Sequence, residues 1–451
     1  MKSSTRFLTS TLHCPASAKG KWVTRALVLL LGTLPYPQAG HAQQAAADSD
    51  KETIRLLLQR VDRLEARVSQ LEAAQARPVE LASASKASTP PAAAAAQGEG
   101  ESEPPAEHAE PERMDMSRTL LNIRGFGDMT LRGSDFKGNT TSFALGQLDL
   151  FVTSDVSEKF KFLSEIVFEG GPDSIYGVNT GETNHFNIDV ERYLLQYSPN
   201  DYFNISAGRY HTAIGYYNTA YHHSTWLQTT TGRPLVFEFE DQGGLLPIHN
   251  VGVSVNGMIP SGRLGLHYVA EVGNGRASRN PINDEPVQNE IDENNHKAFN
   301  LALFARPEAV QGLQVGFSAY HDQLTPVGSP AIGESIFDAY AVLVRSNFEW
   351  LNEGLVIRHS PQGAGRDFDT PAFYSQISKR FGAYRPYFRY QYVNASGTEP
   401  IFPDIGLQHG PSLGLRFDAS ESVALKLQYD RTFRREQPAS NALGLQVGFT
   451  F

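Results

Sequence analysis

The sequence predicts an all-β fold: a sixteen-stranded antiparallel transmembrane β-barrel, preceded by a short coiled-coil helix and a disordered linker. Three observations point there. In the final segment Leu443, Leu445, Val447, Phe449 and Phe451 fall on one face and Gly444, Gln446, Gly448 and Thr450 on the other, the period of a strand with one oily side. Earlier segments repeat this texture, and their connections alternate between tight turns and long polar loops, as where strands cross a bilayer in pairs. No stretch after residue 42 approaches the ~18 apolar residues of a spanning helix, and mean hydropathy is −0.34. Any membrane crossing must therefore be made by strands.

Residues 1–42 read as a secretory signal. Lys2, Arg6, Lys19, Lys21 and Arg25 precede an apolar run from Ala26 to Leu34, and Gly40-His41-Ala42 offers small residues for cleavage. The single cysteine, Cys14, would leave with it, so neither a disulfide framework nor a thiolate site is expected. Five basic and no acidic residues would also leave, taking the formal charge from −10 to −15. So acidic a chain is a poor partner for nucleic acid.

Within 43–75, Ile54, Leu57, Val61, Leu64, Val68 and Leu71 are spaced 3, 4, 3, 4 and 3 apart, an a/d seam with β-branched residues at a and leucine at d. A short coiled coil is the expectation, and an unpaired amphipathic helix the competing one. Residues 76–117 are Ala, Pro, Glu and Ser with little to bury, a flexible acidic linker.

The barrel is expected over 118–451, with strands at 120–132, 142–154, 159–169, 188–198, 203–211, 249–258, 262–272, 297–306, 312–320, 336–347, 352–360, 371–380, 384–393, 411–418, 423–431 and 441–451. Tight turns separate the second strand from the third, the fourth from the fifth, and so on. The connections between those turns are longer: 133–141, 170–187, 212–248, 273–296, 321–335, 361–370, 394–410 and 432–440. Aromatic residues at strand ends, such as Tyr384, Tyr392, Phe417, Phe433, Phe449 and Phe451, suit the borders of a lipid-facing band. A barrel of this size is expected to hold water.

With signal, coiled coil, alternating connection lengths and terminal Phe451, the chain resembles an outer-membrane porin of Gram-negative bacteria, in layout the phosphate-selective porin O and P family. The resemblance covers about 118–451 and rests on architecture. It implies a homotrimer in outer-membrane lipid and lipopolysaccharide, the N-terminal segment in the periplasm within reach of peptidoglycan, and a third outer loop folded inward. The implied activity is passive diffusion of small hydrophilic solutes and ions, with anions such as phosphate among the candidates. Charge alone leaves the solute open.

The third connection, 212–248, is the longest and carries Tyr216, Trp226, Arg233, Glu238, Glu240 and Asp241. One reading puts Glu238, Glu240 and Asp241 at the eyelet; the other puts them in an outer vestibule. On the facing wall the strand phase offers Arg358, Arg385, Arg389, Arg416 and Lys426. Opposed walls of this kind would set a transverse field across the pore, although each base could instead pair with a neighbouring acid. His222 and His223 are adjacent but lack further ligands, and Asp284, Glu285, Glu290, Asp292 and Glu293 do not have calcium-loop spacing. Neither a metal nor a cofactor is expected, and no G-x-S-x-G elbow or P-loop appears. Two other classes stay in view: a barrel enzyme, for which His267 and Glu271 share a strand face without a serine beside them in the sequence, and a structural anchor gripping the envelope through its coiled coil.

Overall fold

The computed structural model describes residues 121–136, 138–170, 186–221, 225–239, 244–278 and 292–451. The expected signal, coiled coil and linker lie outside these residues. Among the described residues there are sixteen strands: β1 (Leu121–Ser134), β2 (Ser142–Asp155), β3 (Phe160–Gly170), β4 (Phe186–Asn200), β5 (Phe203–His211), β6 (His249–Ile259), β7 (Leu266–Gly273), β8 (Ala298–Ala305), β9 (Leu313–Leu324), β10 (Ile332–Arg345), β11 (Phe348–Pro361), β12 (Phe368–Lys379), β13 (Tyr384–Asn394), β14 (Leu407–Asp418), β15 (Val423–Arg434) and β16 (Gln437–Thr450). Each pairs antiparallel with its neighbours in the chain, and β1 pairs with β16 to close the barrel. At the seam Gly125 N–H donates to Phe451 O at 2.8 Å and Phe451 N–H donates back at 2.9 Å. Closure leaves no strand edge unpaired.

The outer skin is apolar. Phe143 is 70% exposed, Ile188 62% and Phe299 57%, and the pattern continues through Phe337, Leu413, Leu427 and Leu445. In water each such side chain would forfeit ~25 cal/mol per Å² left unburied, and a belt around a whole barrel far exceeds the patches that soluble monomers expose. Aromatic rings border the belt. Tyr384 and Phe417 lie 4.9 Å apart near the short turns, and His409 and Phe433 lie 5.2 Å apart near the opposite rim.

Short and long connections alternate as the sequence predicts, but several strands run past their expected ends. Residues 348–351, expected between strands, open β11; β12 and β14 begin at Phe368 and Leu407; β9 and β10 run on into the expected loop 321–335, leaving 325–331; and β15 and β16 shrink 432–440 to Arg435 and Glu436. A two-residue hairpin needs a positive φ, and Glu436 supplies it at 57°. The Arg-Glu pair carries none of the usual turn chemistry, so nothing in the composition announces this hairpin.

The expectation of a water-filled interior holds for only part of the lumen. The third outer connection, 212–248 (L3), brings Tyr217, Tyr221, Val236, Phe237, Leu246 and Ile248 into one buried cluster with the inward side chains Tyr320, Ile336, Leu351, Ile357 and Tyr374. On the β8–β13 side the barrel thus encloses a packed core. The loop is long enough to carry its own apolar residues inward, which a count of strands does not anticipate.

Candidate functional site

L3 leaves β5 and is first caught by carboxylates. Ala213 N–H donates to Glu271 Oε2 at 2.9 Å, Tyr216 N–H to Glu353 Oε1 at 2.7 Å and Tyr217 N–H to Glu353 Oε2 at 3.2 Å. The Tyr374 hydroxyl donates to the same Glu353 Oε2 at 2.9 Å. Gly215 makes this approach possible. Its φ is +71° and a Cβ there would stand 1.7 Å from Glu353 Oε1, so any other residue would hold the amides off the carboxylate. A single helical turn, Tyr217–Ala220, follows, and Tyr221 Oη and Thr229 Oγ1 donate to Glu349 Oε2 at 3.1 and 3.2 Å.

The next stretch is held by cations. Lys426 Nζ donates to Thr225 O at 2.5 Å and Thr230 O at 2.8 Å, Arg416 Nη1 to Trp226 O at 2.7 Å and Gln228 O at 2.8 Å, and Arg389 Nη1 to Gly232 O at 2.9 Å. Amides add to these: Gln428 Oε1 accepts from Thr231 N–H at 3.1 Å and Gln446 Nε2 donates to Thr231 O at 3.0 Å. Arg233 is buried and donates to Phe237 O, to Tyr221 O at 3.3 Å and to Asn218 Oδ1 at 3.2 Å, with its guanidinium 4.2 Å from the centre of the Phe239 ring. It ties the loop to itself.

The residues singled out in the sequence thus separate. Tyr216, Trp226, Arg233 and Glu238 lie on the inward loop, while Glu240 and Asp241, like His222 and His223, fall outside the described residues. Arg389, Arg416 and Lys426 face inward and donate to loop carbonyls, and Arg416 Nε also pairs with its strand neighbour Asp418 at 2.7 Å. Arg385 is inward at the turn end and donates to Ser346 O at 3.5 Å. Arg358 differs from expectation: it sits on the outer face of β11 in a two-bond ion pair with Asp369 (2.7 and 3.0 Å), while its neighbour His359 points in. The inward positions of β11 include Leu351, Leu355 and Ile357, so hydrophobicity no longer marks the lipid side. His267 stacks on Phe304 at 4.9 Å, and Glu271 takes up Ser254 and Asn300 besides Ala213. Among the described residues no group of three or more His, Cys, Asp or Glu could hold a metal ion.

Between L3 and the wall of β1, β2, β13, β15 and β16 lies a cavity of ≈ 370 Å³ whose charged lining includes Arg132, Arg389 and Arg434 against Asp128, Glu238 and Asp430. Arg132 Nη2 stands 3.7 Å from Asp430 Oδ2. Burial pushes the Glu238 carboxyl up to about 7, against the pull of Arg233, Arg389 and Arg132. The wall opposite the loop is bare at Gly444, where a Cβ would meet nothing within 4 Å. The alternation already puts Asp430 on the inward face with Lys426 and Gln428, but Arg132 and Arg434 were missed, although they share the inward phase of their strands with Thr130 and Thr432.

No family model matches the chain, and no curated protein does. Among solved structures it is similar to OmpT of Vibrio cholerae (10% identity, 74% of this chain and 98% of that one, TM-score 0.49), the outer membrane channel DcaP of Acinetobacter baumannii (9%, 74% and 98%, 0.49) and Salmonella typhi OmpF in complex with daunomycin (10%, 74% and 98%, 0.49). At such identities the barrel's own closure, rather than the likeness, carries the fold.

Proposed function

We propose that the chain is an outer-membrane porin, a channel through which small hydrophilic solutes and ions diffuse passively. The observation that carries this reading is a closed, apolar-skinned barrel with a long loop strapped inside it and a charged, partly open cavity left between loop and wall. An apolar belt bordered by aromatics matches lipid, and convergent charges in a lumen tune ion passage without tight binding. Arg132, Arg389 and Arg434, with the buried Arg233 behind them, outnumber Asp128, Glu238 and Asp430 in the cavity lining even though Arg233 and Arg389 also hold the loop, so the selectivity that fits is a weak preference for small anions, phosphate among them. Assembly as a homotrimer among lipopolysaccharide, with the N-terminal segment in the periplasm, belongs to the same proposal.

Recordings from the purified chain in planar bilayers test it. Discrete conductance steps are the expected result, and Gly444→Trp, which fills the bare wall, should cut the step height at least twofold. A lumen that stays sealed in the wild-type protein overturns the reading and leaves the anchor role in its place.

A further inference from the structure

On the β8–β13 side, four titratable side chains with almost no exposure, His359, Glu334, Arg276 and Glu399, join three separate loops. His359 of β11 bonds Glu334 of β10 through Nε2 at 2.8 Å and Glu399 of the seventh outer loop, 395–406, through Nδ1. Glu334 is also gripped by Arg276 from the start of the fourth outer loop, with Nε donating to Oε1 at 3.1 Å and Nη2 to Oε2. Arg276 Nη1 donates to Leu245 O of L3 at 3.2 Å. From β9, Asp322 accepts the Arg276 backbone N–H at 3.3 Å and the Tyr320 hydroxyl at 3.0 Å. The β12 residue beside this cluster is the uncharged Thr370, which pairs with Ile357.

The seventh loop enters the core through few side chains. Ala395, Glu399, Ile401 and Phe402 are buried, whereas Ser396, Gly397, Thr398, Pro400, Pro403 and Asp404 are exposed. Glu399 Oε2 accepts the backbone N–H groups of Ile401 (2.8 Å) and Phe402, so the carboxylate shapes the turn that inserts both apolar residues. Phe402 then lies under the Arg276 guanidinium at 4.9 Å and beside the His359 ring at 5.4 Å. At the loop's base Ala395 N–H donates to Gly406 O at 2.9 Å, which leaves 396–405 to move as one piece.

We infer that loop 395–406 is a lid over this side of the lumen, latched to L3 through His359, Glu334 and Arg276, and released when His359 loses its second ring proton. A neutral imidazole has one N–H and one lone pair, but here both ring nitrogens meet carboxylate oxygens. The ring must carry both protons for both bonds to form, and only then do Arg276 and His359 balance Glu334 and Glu399. Without that charge Glu399 is a buried carboxylate facing a lone pair. Such a group moves to water rather than stay unpaired. In leaving, it withdraws the acceptor from Ile401 and Phe402 and lifts them from the core. The inference rests on the channel reading for its consequence, a wider passage, but not for the motion itself.

The test combines hydrogen exchange with bilayer recording on the full chain. In His359→Phe and in Glu399→Gln, exchange of the Ile401 and Phe402 amides should rise at least tenfold and a larger conductance level should appear. The double variant should go no further than either alone. In the wild type, exchange corrected for its intrinsic pH dependence should rise on alkaline titration, and in His359→Phe it should not. Unchanged exchange in both single variants overturns the lid. So does raised exchange in a conducting protein whose open level does not change. A wild type that passes no current while exchange rises as expected sinks the channel reading and leaves the lid standing.

Discussion

On the β7–β11 side of the lumen, Glu271, Glu349 and Glu353 accept the N–H and O–H groups of the inward loop, whereas on the β13–β15 side Arg389, Arg416 and Lys426 donate to its carbonyls. The loop is thus sorted by polarity across the barrel: its first stretch gives N–H and O–H donors to the acidic wall and its next stretch gives carbonyl acceptors to the basic one. Charges inside a pore are usually read as a filter for ions. Here Glu271, Glu349, Glu353, Arg416 and Lys426 hold the loop in place, and the cavity lining keeps Arg132, Arg233, Arg389 and Arg434 against Asp128, Glu238 and Asp430.

Breaking the acidic side should have the largest effect. Glu353→Ala leaves two buried amides and the Tyr374 hydroxyl without an acceptor, a loss of about 3 kcal/mol in local stability. Amide exchange at Tyr216 and Tyr217 should accelerate on the order of 100-fold, with exchange at Thr225 to Gly232 much less affected. The basic side should yield less, because a carbonyl left alone retains some access to water: Lys426→Met is expected to cost about 1.5 kcal/mol and to raise exchange at Thr231 roughly tenfold. Equal acceleration along the whole loop in either variant would mean that the two walls act as one.

The comparison sharpens at Glu238, which belongs to neither wall. Below about pH 7 its carboxyl is neutral, and above it the charge appears beside Arg132, Arg233 and Arg389. Anion preference should therefore fall as pH rises through about 7, and Glu238→Gln should remove that dependence. Screening over ~8 Å at physiological salt keeps the shift small. Reversal potentials across a salt gradient give the answer. Least of all should come from Arg358→Ala, because an exposed pair on the outer face contributes little and touches no solute; a changed reversal potential there would put Arg358 back in the lumen.

How much of this could be read beforehand depended on which side of the barrel a strand serves. In β13 to β16 apolar residues face out and polar ones face in, so the inward phase of Arg385, Arg389, Arg416 and Lys426 followed from the alternation alone. In β11 both faces are apolar, Trp350 and Val356 outside and Leu351 and Ile357 inside, and the phase that assigned Arg358 inward had nothing to anchor it. Glu353 went unnoticed for the same reason, and Glu349 because the strand was expected only from 352, whereas β11 begins at Phe348. Two acids four apart in an otherwise oily strand were the available sign, because lipid would not accept them. The inward course of L3 came from family resemblance, and its anchoring depends on contacts between residues 58 to 201 positions apart, which no local pattern encodes.

The two-residue link at Arg435 and Glu436 joins two of the strands that border the cavity, while loop 395–406, the neighbouring outer connection around the rim, sends Ile401 and Phe402 into the filled half. Arg132 of β1 and Arg434 of β15 line the cavity close to the outer ends of their strands. With only two residues between β15 and β16, that border of the cavity is held by strand pairing almost to its end rather than by loop chain.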